Sequence, residues 1–152
     1  MKFLFDEMLK RLVHWCRIFG IYSEYIVGKS DSELLDYAKK NGLIFVTRDV
    51  KLFERCKEIK CVFIESDELE EQIVQILKET KVKMTFPDET RCPTCNGKLK
   101  VIGKERVEAV PEDIYKNNKR IWQCSECGKV YWEGGHWKNI TRIYENVKKK
   151  VI

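Results

Sequence analysis

Two kinds of residue in this 152-residue chain carry chemistry by type and spacing: acids placed directly after short apolar runs, and cysteines in pairs. Asp6 follows the apolar run 2–5, and Asp49 follows the run 43–46 through Thr47-Arg48. If these runs are neighbouring strands of a parallel sheet, both carboxylates stand at one rim, beyond the carboxyl ends of the strands, where open α/β sheets place their sites. Two or three such carboxylates hold Mg²⁺ or Mn²⁺, whose remaining ligands are water and substrate phosphate. A cation held there activates water and neutralises charge on a phosphodiester under attack. Asp31, Glu33 and Asp36, after another predicted strand, are candidates for the remaining acid. The Thr47 hydroxyl is placed to position a water or a metal-bound acid. Plainer roles stay open: Asp6 and Glu7 suit a helix start, Asp49 an N-cap, and Glu33 a capping box with Ser30.

The cysteines form Cys92-Pro-Thr-Cys95 and Cys124-Ser-Glu-Cys127. Two thiolates on one tight turn grip a tetrahedral zinc, and a second pair completes four soft ligands with no open position, so the zinc is expected to be structural. Gly97 and Gly128 trail the pairs and let the backbone fold around the sulfurs. Residues 96–123, between the pairs, exceed the usual CxxC…CxxC spacing and read as two hairpins. No apolar run approaches the ~20 residues of a membrane span, and acids at Asp6 and Glu7 come too early for a signal peptide. A cytoplasmic location is therefore expected, where zinc wins over disulfides. Cys16 reads as core, and Cys56 and Cys61, flanking a loop, as reduced thiols.

The elements that must position these groups alternate. After run 2–5, Leu9, Leu12, Val13 and Cys16 recur at helical spacing until Gly20. Residues 21–27 read as a strand, Ser30 and Glu33 open a helix, and 43–46 is a third strand followed by a short helix through Lys57. Residues 61–64 form a fourth strand, and Leu69, Ile73, Ile76 and Leu77 line a fourth helix. Such alternation predicts a parallel sheet wrapped by helices. Residues 81–90 read as a link, followed by β-rich hairpins holding the cysteines and an amphipathic helix over 137–150. The expected division is an α/β domain at 1–85 and a zinc ribbon with a C-terminal helix at 86–152.

Charge is uneven. Residues 1–85 hold 15 Lys+Arg against 15 Asp+Glu, whereas residues 86–152 hold 14 against 9, so the net +5 lies on the cysteine side. That asymmetry points to an anionic partner, nucleic acid above all, or to a solvated basic surface. Tyr131, His136 and Trp137 stand on this side, where aromatics stack on unpaired bases and lysines take phosphates. Burial against the neighbouring domain is the other reading, favoured for Trp122 and Trp132. His136 also suits a helix start bonded locally. Arg11 is a phosphate-binding candidate near the rim, and His14 a surface residue.

Phe5-Asp6-Glu7-Met8-Leu9 with Trp15-x-Arg17, then Asp31-Ser-Glu33-Leu34-Leu35 and Thr47-Arg48-Asp49, resemble the PIN-like RNase domain called Mut-seven-C. The ribbon pattern Arg91-Cys92-x-x-Cys95-Asn96-Gly97-x-Leu99, Val110-Pro111, Cys124-x-x-Cys127-Gly128 and Tyr131-Trp132-x-Gly134-x-His136 extends the resemblance over nearly the whole chain. It implies a metal-dependent ribonuclease with a PIN-type fold and a C-terminal zinc ribbon. Asp6 and Asp49 would bind Mg²⁺ or Mn²⁺, and Asp31 would assist. Arg48 would contact phosphate or pair with Asp49, and the ribbon would hold RNA. A non-catalytic RNA-binding adaptor and a protein-interaction module are the competing functions. A homo-oligomer and a protein partner stay open.

Overall fold

A computed structural model of the chain describes residues 1–102, 110–118 and 120–152. Phe3, Leu4 and Phe5, and likewise Ile44, Phe45 and Val46, are buried without a break. Strands read this way when both faces of a parallel sheet are covered. They form β1 (Lys2–Phe5) and β3 (Ile44–Thr47), flanked by β2 (Tyr22–Tyr25) and β4 (Cys61–Phe63). The sheet is parallel with order β2-β1-β3-β4, so the two acid-bearing strands are adjacent.

Alternation along each strand divides the core. Phe3, Phe5, Ile44 and Val46 face a layer of α1 (Lys10–Ile18), α4 (Leu69–Thr80) and α6 (Trp137–Val151), which contribute Leu12, Ile73 and Val147. Leu4 and Phe45 face the opposite layer, with Leu34 and Ala38 of α2 (Asp31–Lys40) and Leu52 of α3 (Val50–Glu54). Period-two strand geometry puts odd and even residues on opposite sides. The predicted alternation of strand and helix is borne out, with trimmed ends. A 3-10 turn, Glu7–Leu9, precedes α1, and α3 ends at Glu54 before Lys57. Ser30 and Glu33 form the expected capping box on α2.

The cysteine pairs belong to a second sheet, antiparallel in order β5-β6-β7, of β5 (Leu99–Ile102), β6 (Ile121–Cys124) and β7 (Val130–Trp132). Within 96–123, where two hairpins are expected, β5 and β6 pair antiparallel. The described part of the connection between them holds a short helix, α5 (Glu112–Asn117), while residues 103–109 and 119 lie outside the described residues. Pro111 at the cap and the acids Glu112 and Asp113 in the first turn supply a helix start.

Segment 81–90 is packed down. Thr85 N–H donates to Phe19 O at 2.9 Å, and the Phe86 ring meets Phe19, Trp137 and Tyr144. The amphipathic face of α6 places Ile140, Ile143 and Val147 in the core under β1 and β3. Asn146 Nδ2 donates to Glu70 on α4 at 3.0 Å. Among the described residues no helix is long and apolar enough to cross a membrane.

Candidate active site and metal centre

Pairing of β1 with β3 brings Asp6 and Thr47 to one edge: Asp6 N–H donates to Val46 O at 2.9 Å. The fully buried Thr47 hydroxyl donates to Asp6 Oδ2 at 2.8 Å and accepts the Asp49 N–H at 3.0 Å. One hydroxyl therefore orients a carboxylate and the following turn. Asp6 precedes the 3-10 turn, yet its side chain makes no capping bond. The helix-start role is not what holds this carboxylate. Asp49 does cap α3, with Oδ1 accepting from Leu52 N–H at 3.1 Å.

The other predicted residues have their own surroundings. Asp31 forms an exposed ion pair with Arg55 at 3.8 Å. Glu33 is engaged in the capping box. Arg48 is exposed and, among the described residues, in no ion pair, so it does not neutralise Asp49. Arg11 lines an open groove with Asp67, Glu68 and Arg142. Glu65, Asp67 and Glu68 follow β4 at the same edge of the sheet; sequence reasoning passed over them. The signal was present, since they repeat the pattern of acids after an apolar strand.

Among the described residues the four cysteines are the single cluster of three or more His, Cys, Asp or Glu arranged to share an ion, all sulfurs lying within 4.8 Å of one another. The acids do not form such a cluster. Cys92 Sγ stands 3.7 Å from Cys127 Sγ, and Cys95 Sγ 3.4 Å from Cys124 Sγ. A tetrahedron with Zn–S of about 2.3 Å has edges of about 3.8 Å, whereas a disulfide needs about 2.05 Å. All seven cysteines are free thiols. The donor set therefore fits zinc and excludes bridging. Burial pushes the Cys92 thiol up, but the Tyr131 hydroxyl and the Cys95 and Thr94 amides outweigh it and bring it down to about 7. Burial pushes Cys95 up to about 12. Crowded sulfurs cannot all ionise together without a cation between them. A Cβ at Gly97 would lie 2.8 Å from Cys124 Sγ and 2.7 Å from Glu126 Cγ, so only glycine passes there.

The aromatic candidates divide. Tyr131 directs its hydroxyl to Cys92 Sγ at 3.1 Å. Trp137 stacks on the buried Trp122 at 5.4 Å and 11°. His136 is exposed at the start of α6, and its ring packs against Gly134. Arg17, quoted above only within a pattern, joins the two sheets. Buried, it donates through Nε to Ser23 O at 2.8 Å and through Nη1 to Pro93 O at 2.9 Å. Asn96 Oδ1 accepts the Ser23 N–H at 3.0 Å beside it. Burial lowers the Arg17 pKa, and the Cys95 and Cys92 sulfurs counter that. Arg17→Leu should cost about 3 kcal/mol, because it strands two carbonyls and removes a charge-assisted pair; urea denaturation of the zinc-loaded protein measures this.

Residues 1–144 match the family model of the Mut7-C RNAse domain. The chain belongs to the Mut7-C RNAse domain family. No curated protein and no solved structure matches it significantly. The Mut7-C match spans both sheets, so the parallel sheet and the cysteine module are one family unit here. Membership points to an RNase role for this chain.

Proposed function

We propose that the chain is a divalent-metal-dependent ribonuclease, with a PIN-like domain at 1–85 and a zinc ribbon with its closing helix at 86–152. The observation that carries this reading is the Asp6 carboxylate: left uncapped at the carboxyl edge of the sheet and held by Thr47. Asp6 and Asp49 offer hard oxygen ligands from adjacent strands, which fit Mg²⁺ or Mn²⁺. That ion would supply an activated water and neutralise phosphate charge. Thr47 orients Asp6 and fixes the Asp49 turn. Asp31 assists once released from Arg55, and Arg48 and Arg11 meet the RNA phosphates. Cys92, Cys95, Cys124 and Cys127 hold a structural zinc, and the ribbon, with Tyr131, His136 and Trp137, helps hold RNA.

A second reading, an RNA-binding adaptor without catalysis, draws on the acids that do not gather into one cluster. The experiment is incubation of the zinc-loaded protein with labelled single- and double-stranded RNA, with and without Mn²⁺, alongside the Asp6→Asn/Asp49→Asn double variant. The ribonuclease cleaves only with Mn²⁺ and only with the acids intact. Cleavage unchanged in the double variant sinks the assignment. Binding without cleavage in every arm selects the adaptor.

A further inference from the structure

A cavity of about 150 Å³ opens between α1, segment 81–90, the ribbon and α6, away from the acids. Three of the chain's four tryptophans, Trp122, Trp132 and Trp137, contribute to its wall. Among the described residues the wall holds no carboxylate. Its polar groups include the imidazoles of His14 and His136, the hydroxyl of Thr90 and the indole N–H groups, while the Tyr131 hydroxyl is turned to Cys92 Sγ. The Thr90 Oγ1 is buried and, among the described residues, has no hydrogen-bond partner. A buried polar atom left unpaired is costly, so its presence in the wall of a cavity calls for a ligand with a donor or acceptor.

Two cations stand over aromatic rings of the wall. Partial burial, followed by Arg17, Lys129 and Lys10, lowers the His14 pKa, which favours the neutral imidazole with one donor and one acceptor. Lys129 lies 5.8 Å from the Tyr131 ring centroid, and Arg120, which also pairs with Glu133 at 2.7 Å, 5.4 Å from that of Trp122. A planar, hydrogen-bonding ring attached to an anion matches every part of this arrangement. The volume is below the ~300–1,000 Å³ that houses a larger ligand, so the ring enters and its phosphate stays outside with the cations.

We propose that this cavity is a pocket for one unpaired nucleobase of RNA, received between the tryptophan wall and the His14, His136 and Thr90 polar groups. The pocket rests on RNA as the substrate and names how single-stranded RNA is engaged: a base is anchored here while the rest of the strand runs elsewhere on the protein.

The test titrates the full, zinc-loaded chain without Mg²⁺ or Mn²⁺, reading tryptophan fluorescence. The probes are an oligoadenylate and an oligouridylate of about eight nucleotides, and an abasic oligomer of equal length. At least one base-bearing oligomer should quench the fluorescence and bind about tenfold more tightly than the abasic one. Thr90→Val, and separately His14→Ala at an exposed position that folding tolerates, should each weaken that binding about three- to tenfold and leave the abasic oligomer unchanged. Equal binding of abasic and base-bearing oligomers overturns the pocket. So does an unchanged Kd in both variants. The ribonuclease reading fails separately: base-dependent quenching without Mn²⁺-dependent cleavage leaves the pocket standing, and cleavage without base-dependent binding leaves the ribonuclease standing.

Discussion

Asp6→Asn should lower RNA hydrolysis by at least about 10²-fold, the scale for losing one charged group that acts on the developing transition state. The substitution keeps shape and an acceptor for the Thr47 hydroxyl, which now bonds Asp6 Oδ2 at 2.8 Å. Because the Asp6 side chain makes no capping bond, helix stability does not depend on its charge. Melting should move by no more than about 2 °C, and RNA affinity should stay within about twofold, since phosphate binding falls to other groups. Single-turnover cleavage in Mn²⁺, with calorimetry in parallel, separates the effects. Thr47→Val is the companion. It removes the hydroxyl that orients Asp6 and leaves the Asp49 N–H without its acceptor. Activity should fall about 10- to 100-fold, as when an outer partner of a ligand is lost. Stability should fall about 1–3 kcal/mol because Thr47 is fully buried. Asp49→Asn tests charge alone, since asparagine also caps helices well. Asp49→Ala would remove the cap on α3 and confuse the result.

Chelation of the zinc, or Cys124→Ser, should unfold β5-β6-β7 and loosen β2. Structural zinc contributes about 10–16 kcal/mol to folding in small metal modules, and in this sheet only the central β6 is largely buried: β5 shows no buried residue and β7 is only half-buried. The effect passes into the parallel sheet through two named contacts. Pro93 O accepts from Arg17, and Asn96 Oδ1 accepts the Ser23 N–H. Both partners stand beside or between cysteine ligands, on the exposed edge of β2, which an open sheet must cover or pair. Hydrogen exchange at Ser23 should therefore rise on chelation, while Phe5 and Val46 amides at the sheet centre stay protected. Metal analysis of native protein should find one zinc per chain. Ser23 exchange unchanged after complete zinc removal would show that the ribbon does not support the edge strand.

The order of elements was readable because each carried a local signal. Strands β1 and β3 are continuous apolar runs, Ser30 and Glu33 announce α2, and the CxxC pairs announce a metal cluster. Ends were less legible because they depend on competing caps. Asp49 takes the α3 start, and Glu7–Leu9 turns as a 3-10 segment before α1 begins. The helix α5 was missed between the pairs because the expected hairpin pattern outweighed one proline and two acids. Nothing local tells that the Arg17 guanidinium reaches the Pro93 carbonyl 76 residues away as well as the nearby Ser23 carbonyl. Aromatics in the ribbon carried no label for destination. Tyr131 serves a sulfur, Trp137 stacks on Trp122, and the cavity they share with His14 exists only when α1 packs against the ribbon.

The sequence alone supplied the residue types for two kinds of site. Cysteine pairs at two-residue spacing suit a soft metal, acids after apolar runs suit a hard one, and the basic excess falls on the cysteine side. These are properties of residue type and short spacing, which local backbone geometry converts directly into structure. Only the tertiary fold decided which partner each acid meets. Pairing of β1 with β3 places the Thr47 hydroxyl on Asp6, while the start of α3 occupies one oxygen of Asp49. Contacts across 41 residues of chain are set by strand order and packing, and no local pattern encodes them.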